Sequence, residues 1–425
     1  MSAAWSIRDG VSYGLLGLPL AFVALPLYVV LPNHYARELG VPLATLGALL
    51  LGARLFDAVI DPWLGRWCDR LFSHSTTRVL RVCTLAAVVL ALGFVALFFP
   101  PVRGTALVPW ALVALLTTYG AFSMISITYQ SWGARLGGNA VQRSRIVAWR
   151  EGLGLVGVLL ASVLPVVSGL GVSTGVFVAM LTLGMVAWLQ ARPPIVAHAV
   201  SHPRNLHPAA PSLWMPLTRP GFKALLLVFV LNGIASAIPA TLVLFFIQDL
   251  LQAPKQLEGV FLIAYFLAAA LSIPVWLRCV AHWGLRRTWL GGMLLAVAVF
   301  VWAANLGASD VVPFIIVCAL SGIALGADLA APPALLAGMI QANGDHGSNE
   351  GAYFGWWNFA TKLNLALAAG LALPLLQLFG YTPGARSAAA LQALVIAYCV
   401  IPCALKLIAA YALFLWTQSN KHLAQ

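Results

Sequence analysis

The chain alternates between long apolar stretches and short polar connections along its whole length. Twelve stretches approach or exceed the roughly 20 residues that a helix needs to cross a bilayer. We number them I to XII; they cover residues 11–32, 43–68, 79–99, 105–130, 146–168, 172–191, 222–248, 257–277, 288–306, 311–339, 352–379 and 388–416. The pattern predicts an all-α membrane protein with twelve transmembrane helices.

The longest polar interruption falls between stretches VI and VII and is rich in Pro and His. It predicts a six-helix bundle at 1–191, a linker at 192–221 and a second six-helix bundle at 222–425. Two halves with equal helix numbers are typical of transporters built from internal repeats. Stretch I is longer than the core of a signal peptide, so we expect it to remain as a helix.

Composition supports a membrane protein, because only 8% of the residues are charged, against about 25% in soluble domains. The net charge of +12 could indicate nucleic-acid binding. With the N-terminus inside, however, 17 of the 24 Lys and Arg residues lie in cytoplasmic segments and four in outer loops. This asymmetry predicts an inner (plasma) membrane protein with both termini cytoplasmic and no nucleic-acid partner. The six cysteines form no Cys-x-x-Cys pair and are interpreted as small buried side chains.

Stretch II carries three charges within eight residues, Arg54, Asp57 and Asp61. A charge at the bilayer centre costs at least about 2.5–3.5 kcal/mol on insertion scales. The i, i+4 spacing places both carboxylates on one helix face, where they could bind Na⁺ or share a proton. The alternative is an Arg–Asp pair that only fixes helix packing.

Two further charges lie deep in the second half. Lys362 in stretch XI is at the same predicted depth as Asp57, about 16 Å from the cytoplasmic end at 1.5 Å per residue. It could pair with the carboxylates of stretch II or locally with Asp328 of stretch X. Asp328 precedes Pro332 and Pro333; it could line a cavity or bond to a neighbouring polar side chain.

Polar and aromatic residues in several stretches are candidates for substrate contacts. Arg150 with Glu151 begins stretch V, where a solvated or gate-forming pair is the alternative. The other candidates, which could equally be packing residues, are Tyr119, Tyr129, Trp132, Asn232, Trp356, Trp357 and Asn358. Aromatic and amide groups suit stacking and hydrogen bonding to a small ligand.

The connection after stretch II contains Gly65, Asp69 and Arg70, followed by Arg78. Glycine permits close helix approach, and the Asp–Arg set could form a charge lock. The Gly-x-x-x-Asp-Arg pattern resembles the conserved loop of major-facilitator transporters. The resemblance implies a cytoplasmic gate at these four residues.

Several motifs together resemble the glycoside–pentoside–hexuronide:cation symporter family, of the melibiose-permease type. They are Tyr13-Gly14, Ala53-Arg54-Leu-Phe-Asp57-Ala-x-x-Asp61-Pro62, Gly65, Asp69-Arg70, Arg143-Ser-Arg145, Arg150, Glu350-Gly351-Ala-Tyr-Phe and Lys362. The resemblance implies a major-facilitator fold of two six-helix bundles, a cation site at Asp57 and Asp61, and a role for Lys362 near the cation and the sugar.

The chain departs from sugar-transporting members of that family at two sugar-binding acids. Ala21 and Ser126 stand at these positions. Carboxylates bind sugar hydroxyls strongly, and a hydroxyl left unpaired costs roughly 1–3 kcal/mol. We therefore expect a substrate other than a simple galactoside, either anionic or more apolar, with Lys362 or Arg150 as counter-charge. The alternative is that other polar residues, such as Asn232 or Asn358, bind the sugar instead.

These observations favour a cation-coupled secondary transporter of a small organic solute, working by alternating access. The coupling ion would be Na⁺ or H⁺, with no other cofactor, and we expect a monomer in the lipid bilayer. A lipid or lysolipid transporter on the same fold is an alternative. An intramembrane prenyltransferase is a weaker one, because its second acidic cluster would be reduced to Asp328.

Overall fold

A computed structural model describes residues 5–195, 212–381, 384 and 386–419. The described chain is helical throughout and contains no strand. It divides into two compact units, one formed by Met1–Thr218 with Ile340–Phe359 and the other by Arg219–Met339 with Ala360–Gln425. The first unit thus includes the end of one helix and the start of the next from the second half of the chain.

The first unit is built from the helices of the first half. They are α1 (Ile7–Gly14), α2 (Gly17–Leu25), α3 (Leu31–Arg37), α4 (Leu43–His74), α5 (Thr76–Phe98), α6 (Leu107–Arg135), α7 (Ala140–Val167), α8 (Gly169–Leu189) and the short α9 (Met215–Thr218). A π-helical turn at Pro26–Val30 joins α2 to α3. Proline has no backbone N–H to donate, which disturbs the regular helical hydrogen bonds at this turn. Stretch I continues through the turn from α2 into α3.

Six further α-helices lie among the described residues of the second half. They are α10 (Phe222–Phe245), α11 (Glu258–Ala303), α12 (Val311–Ala342), α13 (Glu350–Leu378), α14 (Ala388–Val395) and α15 (Ile401–Ser419). Its core includes stacked rings, with Phe246 against Phe314 and Tyr398 at centroid distances of 5.4 and 4.2 Å. Such pairs stabilise a helix bundle beyond the area that they bury.

Nine helical runs among the described residues are long and apolar enough to cross a membrane. One of them, α11, covers predicted stretches VIII and IX, which turn at Gly284. Gly284 has a φ of 78°, a conformation that glycine adopts without the strain of a side chain. The remaining two predicted stretches correspond to the charged helix α4 and to α13.

The backbones of α2 and α7 approach each other unusually closely. A Cβ atom added to Gly157 would lie 2.1 Å from the carbonyl oxygen of Leu18, and one added to Gly17 would lie 2.5 Å from that of Arg150. Small residues permit this kind of helix contact in membranes, where van der Waals packing holds helices together. The contact fixes the start of α7 against stretch I.

We predict that Gly157→Ala destabilises the protein, because the added methyl group meets backbone that cannot move aside. Overpacking of this kind costs roughly 1–3 kcal/mol. The measurement is thermal unfolding in detergent, with Gly175→Ala as the matched control. Gly175 lies in α8 with open space around its Cβ position, so its replacement should leave the melting temperature unchanged or slightly raised. Equal melting temperatures for both variants would contradict the close contact.

Candidate functional site

The two carboxylates of α4 are both buried. Asp57 is 3% exposed and Asp61 is fully buried. The hydroxyl of Ser123, on α6, donates to Asp57 at 2.7 Å. Arg54 is half-buried on the same helix, and Tyr119 of α6 lies within electrostatic reach of both Arg54 and Asp57. The structure therefore groups a guanidinium, a carboxylate and two hydroxyls where α4 meets α6.

A cavity of about 160 Å³ opens within the first unit, between α2, α6 and α7. The residues that line it are Gly17, Leu20, Ala21, Ser126, Tyr129, Gln130, Arg150, Glu151 and Gly154. Ala21 and Ser126 are thus both at its wall.

Arg150 supplies the positive charge of this cavity. Its Nε and Nη2 atoms donate to Oε1 of Glu151 at 2.9 and 2.5 Å. Arg150 is 11% exposed and Glu151 is 26% exposed. An arginine fork is suited to bidentate binding of carboxylate, sulfonate or phosphate oxygens, and the partner observed here is the Glu151 carboxylate.

Hydrogen bonds between α1 and α6 stiffen the cavity wall. The Tyr129 hydroxyl donates to the carbonyl of Tyr13 at 2.5 Å, and the Tyr13 hydroxyl donates to that of Tyr129 at 3.1 Å. The next residue on α6, Gln130, donates its side-chain amide to Asn358 at 3.2 Å. The polar wall is therefore held by partners on two other helices.

A second polar cluster lies at the end of α4 that the charge distribution predicts to be cytoplasmic. Asp69 accepts hydrogen bonds from Arg135 at 2.8 Å and from the backbone amides of Gly351 and Ala352, both at 2.7 Å. Arg135 also pairs with Glu350 at 3.0 Å. Because the amides belong to the first turn of α13, Asp69 satisfies donors that a helix start leaves open.

Glu350 also pairs with His346, whose side chain is partly exposed to solvent. Its Oε1 atom lies 3.1 Å from Nδ1 of His346, which is 19% exposed, whereas Glu350 itself is fully buried. Gly65 allows α4 to approach α13 here, since a Cβ atom on Gly65 would meet the carbonyl oxygen of Gly351 at 2.1 Å. We call Asp69, Arg135 and Glu350 the Asp69 cluster.

Gly65, Asp69, Arg70 and Arg78 are the four residues predicted from the sequence to form the cytoplasmic gate. Arg70 and Arg78 have exposed side chains, whereas the structure brings the fully buried Arg135 to Asp69. Arg135 ends α6 and Glu350 begins α13, and both were visible as charges at the ends of apolar stretches. Their long separation along the chain hid the contact.

The second unit contains a buried ion pair between Lys406 and Asp328, which was not predicted from the sequence. Lys406 of α15 donates to Asp328 at 2.9 Å and to Asn232 at 2.7 Å. Trp289 of α11 donates to the other oxygen of Asp328 at 2.9 Å. Four helices thus meet at one lysine, and the described ion pair of Asp328 is with Lys406. Lys362 of α13 is half-buried.

Two of the aromatic candidates are almost completely buried. Trp132 is 2% exposed; its ring contacts those of Phe72 and Trp188, and its N–H donates to the carbonyl of Arg192. Trp357 is 3% exposed. The packing alternative stated for these residues therefore describes Trp132 well.

Sequence comparison places the chain among transport proteins. Residues 12–418 match the family described as MFS/sugar transport protein. A protein of Escherichia coli (strain K12) named putative sulfoquinovose importer is 26% identical over 99% of this chain and 92% of its own length. A putative glycoside/cation symporter of the same organism is 26% identical over 42% of this chain and 40% of its own.

Solved structures resemble the fold at low identity. An outward-facing bacterial homologue of the iron transporter ferroportin gives a TM-score of 0.71 at 14% identity, covering 98% of this chain and 100% of that one. The major-facilitator transporter FucP gives 0.67 at 13% identity, covering 95% and 99%. These likenesses confirm the predicted major-facilitator fold.

We predict that Asp69→Asn loosens the Asp69 cluster, because the neutral amide loses the attraction of Arg135 and can accept fewer hydrogen bonds. The population should shift toward a state open to the cytoplasm. In an Ala21→Cys background, labelling by an impermeant thiol reagent added from outside should fall several-fold. Arg70→Gln, which changes an exposed side chain next in sequence, is the control and should leave labelling unchanged. Equal labelling in both variants would rule out a gating role.

Proposed function

Because the chain belongs to the MFS/sugar transport protein family, we propose that it is a cation-coupled symporter for an anionic, sugar-sized solute. It works by alternating access in the inner membrane as a monomer. The bundles at 1–191 and 222–425, joined by the linker at 192–221, rock one on the other, and both termini are cytoplasmic.

The observation that carries this proposal is the chemistry of the α2–α6–α7 cavity. Ala21 and Ser126 remove the two acids that sugar-transporting relatives would place there, and Arg150 remains as a cation. A site with fewer acids and a guanidinium favours a solute that carries its own negative charge. Gln130 and Tyr129 provide polar groups for the hydroxyls of such a solute.

A sulfonated or carboxylated sugar has both features that the cavity recognises. Sulfoquinovose, after which one relative is named, carries a sulfonate on a hexose ring, and its three sulfonate oxygens suit an arginine fork. The lipid-transporter alternative calls for a more apolar cavity. The charged pair Arg150 and Glu151 with Gln130 in the wall favours a polar solute of sugar size instead.

The cation site in this proposal is formed by Asp57 and Asp61. Both carboxylates are buried on one face of α4, and the Ser123 hydroxyl adds an oxygen next to Asp57. Carboxylate and hydroxyl oxygens are suitable ligands for Na⁺, and a carboxylate can bind H⁺ in its place. Lys362 and the Lys406–Asp328 pair complete the charged set of the transport machinery, while the Asp69 cluster serves as the gate.

We predict that Asp57→Asn and Asp61→Asn each abolish accumulation driven by a cation gradient, because each removes a charged ligand. Uptake of labelled sulfoquinovose into proteoliposomes, with an imposed Na⁺ or H⁺ gradient, provides the measurement. Glu38→Gln removes an exposed carboxylate and should accumulate substrate like the wild type. Concentrative uptake by both Asn variants would refute the cation site.

We predict that Arg150→Gln selectively weakens binding of the anionic sugar. Hydrogen bonds to charged groups contribute about 1.5–3 kcal/mol, so the affinity for sulfoquinovose should fall roughly 10- to 100-fold. Counterflow in proteoliposomes, which needs no gradient, measures this. The control is Arg145→Gln on the same helix, where the side chain is exposed. Unaltered counterflow in Arg150→Gln would remove Arg150 from the site.

A further inference from the structure

Glu151 is held differently from Asp57 and Asp69, two other acids of the first unit. Asp69 accepts from Arg135 and from two backbone amides, and Asp57 accepts from Ser123. In the part of the chain that the structure describes, the hydrogen bonds of Glu151 are to Arg150 alone, through one carboxylate oxygen. Its 26% exposure lets water and protons reach it from the cavity.

The surroundings of this pair contain few other titratable groups. On α7 the charged neighbour of Glu151 is Arg150; from α1 and α6, Tyr13 and Tyr129 lie within electrostatic reach of both residues. The described remainder of the cavity wall is neutral, with Ala21 and Leu20 on α2 and Ser126 and Gln130 on α6. The empty site therefore has no net charge, since one guanidinium balances one carboxylate.

An anionic ligand that binds Arg150 disturbs this balance. A ligand that takes the Nε and Nη2 donors of Arg150 displaces Glu151, which accepts from these two atoms. The site then holds two negative charges and one positive charge. Like charges in a poorly solvated site favour protonation of one of them. The ligand must keep its charge to bind Arg150, and a sulfonate is too weak a base to take the proton. Glu151 is the remaining carboxylate of the cavity wall.

We propose that Glu151 is a proton-binding residue that exchanges places with the substrate anion on Arg150. The exchange converts Arg150⁺, Glu151⁻, a substrate anion and H⁺ into an Arg150⁺–anion pair and a neutral Glu151. One ion pair breaks, another forms, and the proton comes from water. The loaded and empty sites then carry the same net charge, so the anion crosses the membrane without adding uncompensated charge to the cavity.

This proposal rests on the proposed function, and it adds a proton that is separate from the cation at Asp57 and Asp61. Proton uptake and anion binding are linked, so each must favour the other by the same factor. The affinity for the anion should therefore rise as the pH falls. The rise reaches about tenfold per pH unit where one full proton is taken up.

The test is isothermal titration of the full-length protein with sulfoquinovose in two buffers of different ionisation enthalpy. The dependence of the binding heat on the buffer gives the number of protons taken up, which we expect to approach one for the wild type near neutral pH. Glu151→Gln should bind sulfoquinovose at least as tightly, with no proton uptake and no pH dependence. Wild-type binding without protons, or uptake that persists in Glu151→Gln, would overturn the proposal while leaving the proposed function intact.

Failure of sulfoquinovose to bind would count against the proposed substrate class. In that case a measurement that needs no ligand tests the Glu151 exchange separately from the proposed function. Phenylglyoxal modifies accessible guanidinium groups, and site-resolved mass spectrometry can follow Arg150 relative to the exposed Arg145. The measured quantity is the ratio of Arg150 modification to Arg145 modification. Release of Arg150 from Glu151 should raise this ratio several-fold in Glu151→Gln, and also in the wild type as the pH is lowered. An unchanged ratio in both cases would refute the exchange even if a different sugar is later found to bind. If Glu151→Gln fails to fold, two wild-type measurements test the exchange: the proton uptake on binding and the pH dependence of Arg150 modification.

Discussion

The cost of placing a charge inside a membrane helix governs the arrangement of this protein. A charge at the bilayer centre costs at least about 2.5–3.5 kcal/mol. The described structure gives partners to charges both within the helices and toward their ends: Lys406 with Asp328, Arg150 with Glu151, and Arg135 with Asp69 and Glu350. Breaking one buried pair leaves an uncompensated charge. A substrate or cation that replaces one partner can therefore change the stability of a whole conformation, which is the physical basis of coupling in this account.

Close backbone packing determines where these charges lie. Gly17 and Gly157 bring stretch I within contact of α7, and this contact positions Arg150 and Glu151 opposite Ala21 across a small cavity. Larger side chains at the glycines would separate the helices, and a carboxylate in place of Ala21 would add a negative charge beside Arg150. The same few small residues thus set both the packing of the bundle and the charge of its cavity.

Hydrophobic periodicity was sufficient to predict an all-helical membrane protein, because lipid imposes the length and composition of each stretch. The family and its fold followed from the resemblance of short motifs, such as the one around Asp57 and Asp61. The motif in α4 correctly identified Asp57 and Asp61 as buried on one face. Pairings between distant helices were not predictable in this way: Arg135 and Lys406 are buried cations whose partners lie far away in sequence. Lys406 offered the same signal as Lys362, a lysine within an apolar stretch, but sequence alone gave no register between α15 and α12. The cavity itself depends on how three helices converge, which periodicity does not specify.

The central claim is that the negative charge of the solute, recognised by Arg150, decides what this protein carries. Calorimetric titration of the wild type with a matched set of sugars tests it most directly: sulfoquinovose, its uncharged parent hexose and melibiose, each with and without Na⁺. The account predicts that sulfoquinovose binds at least about tenfold more tightly than the uncharged sugars, a difference of about 1.4 kcal/mol. Sub-millimolar binding of melibiose, or equal affinities for the charged and uncharged hexose, would contradict it.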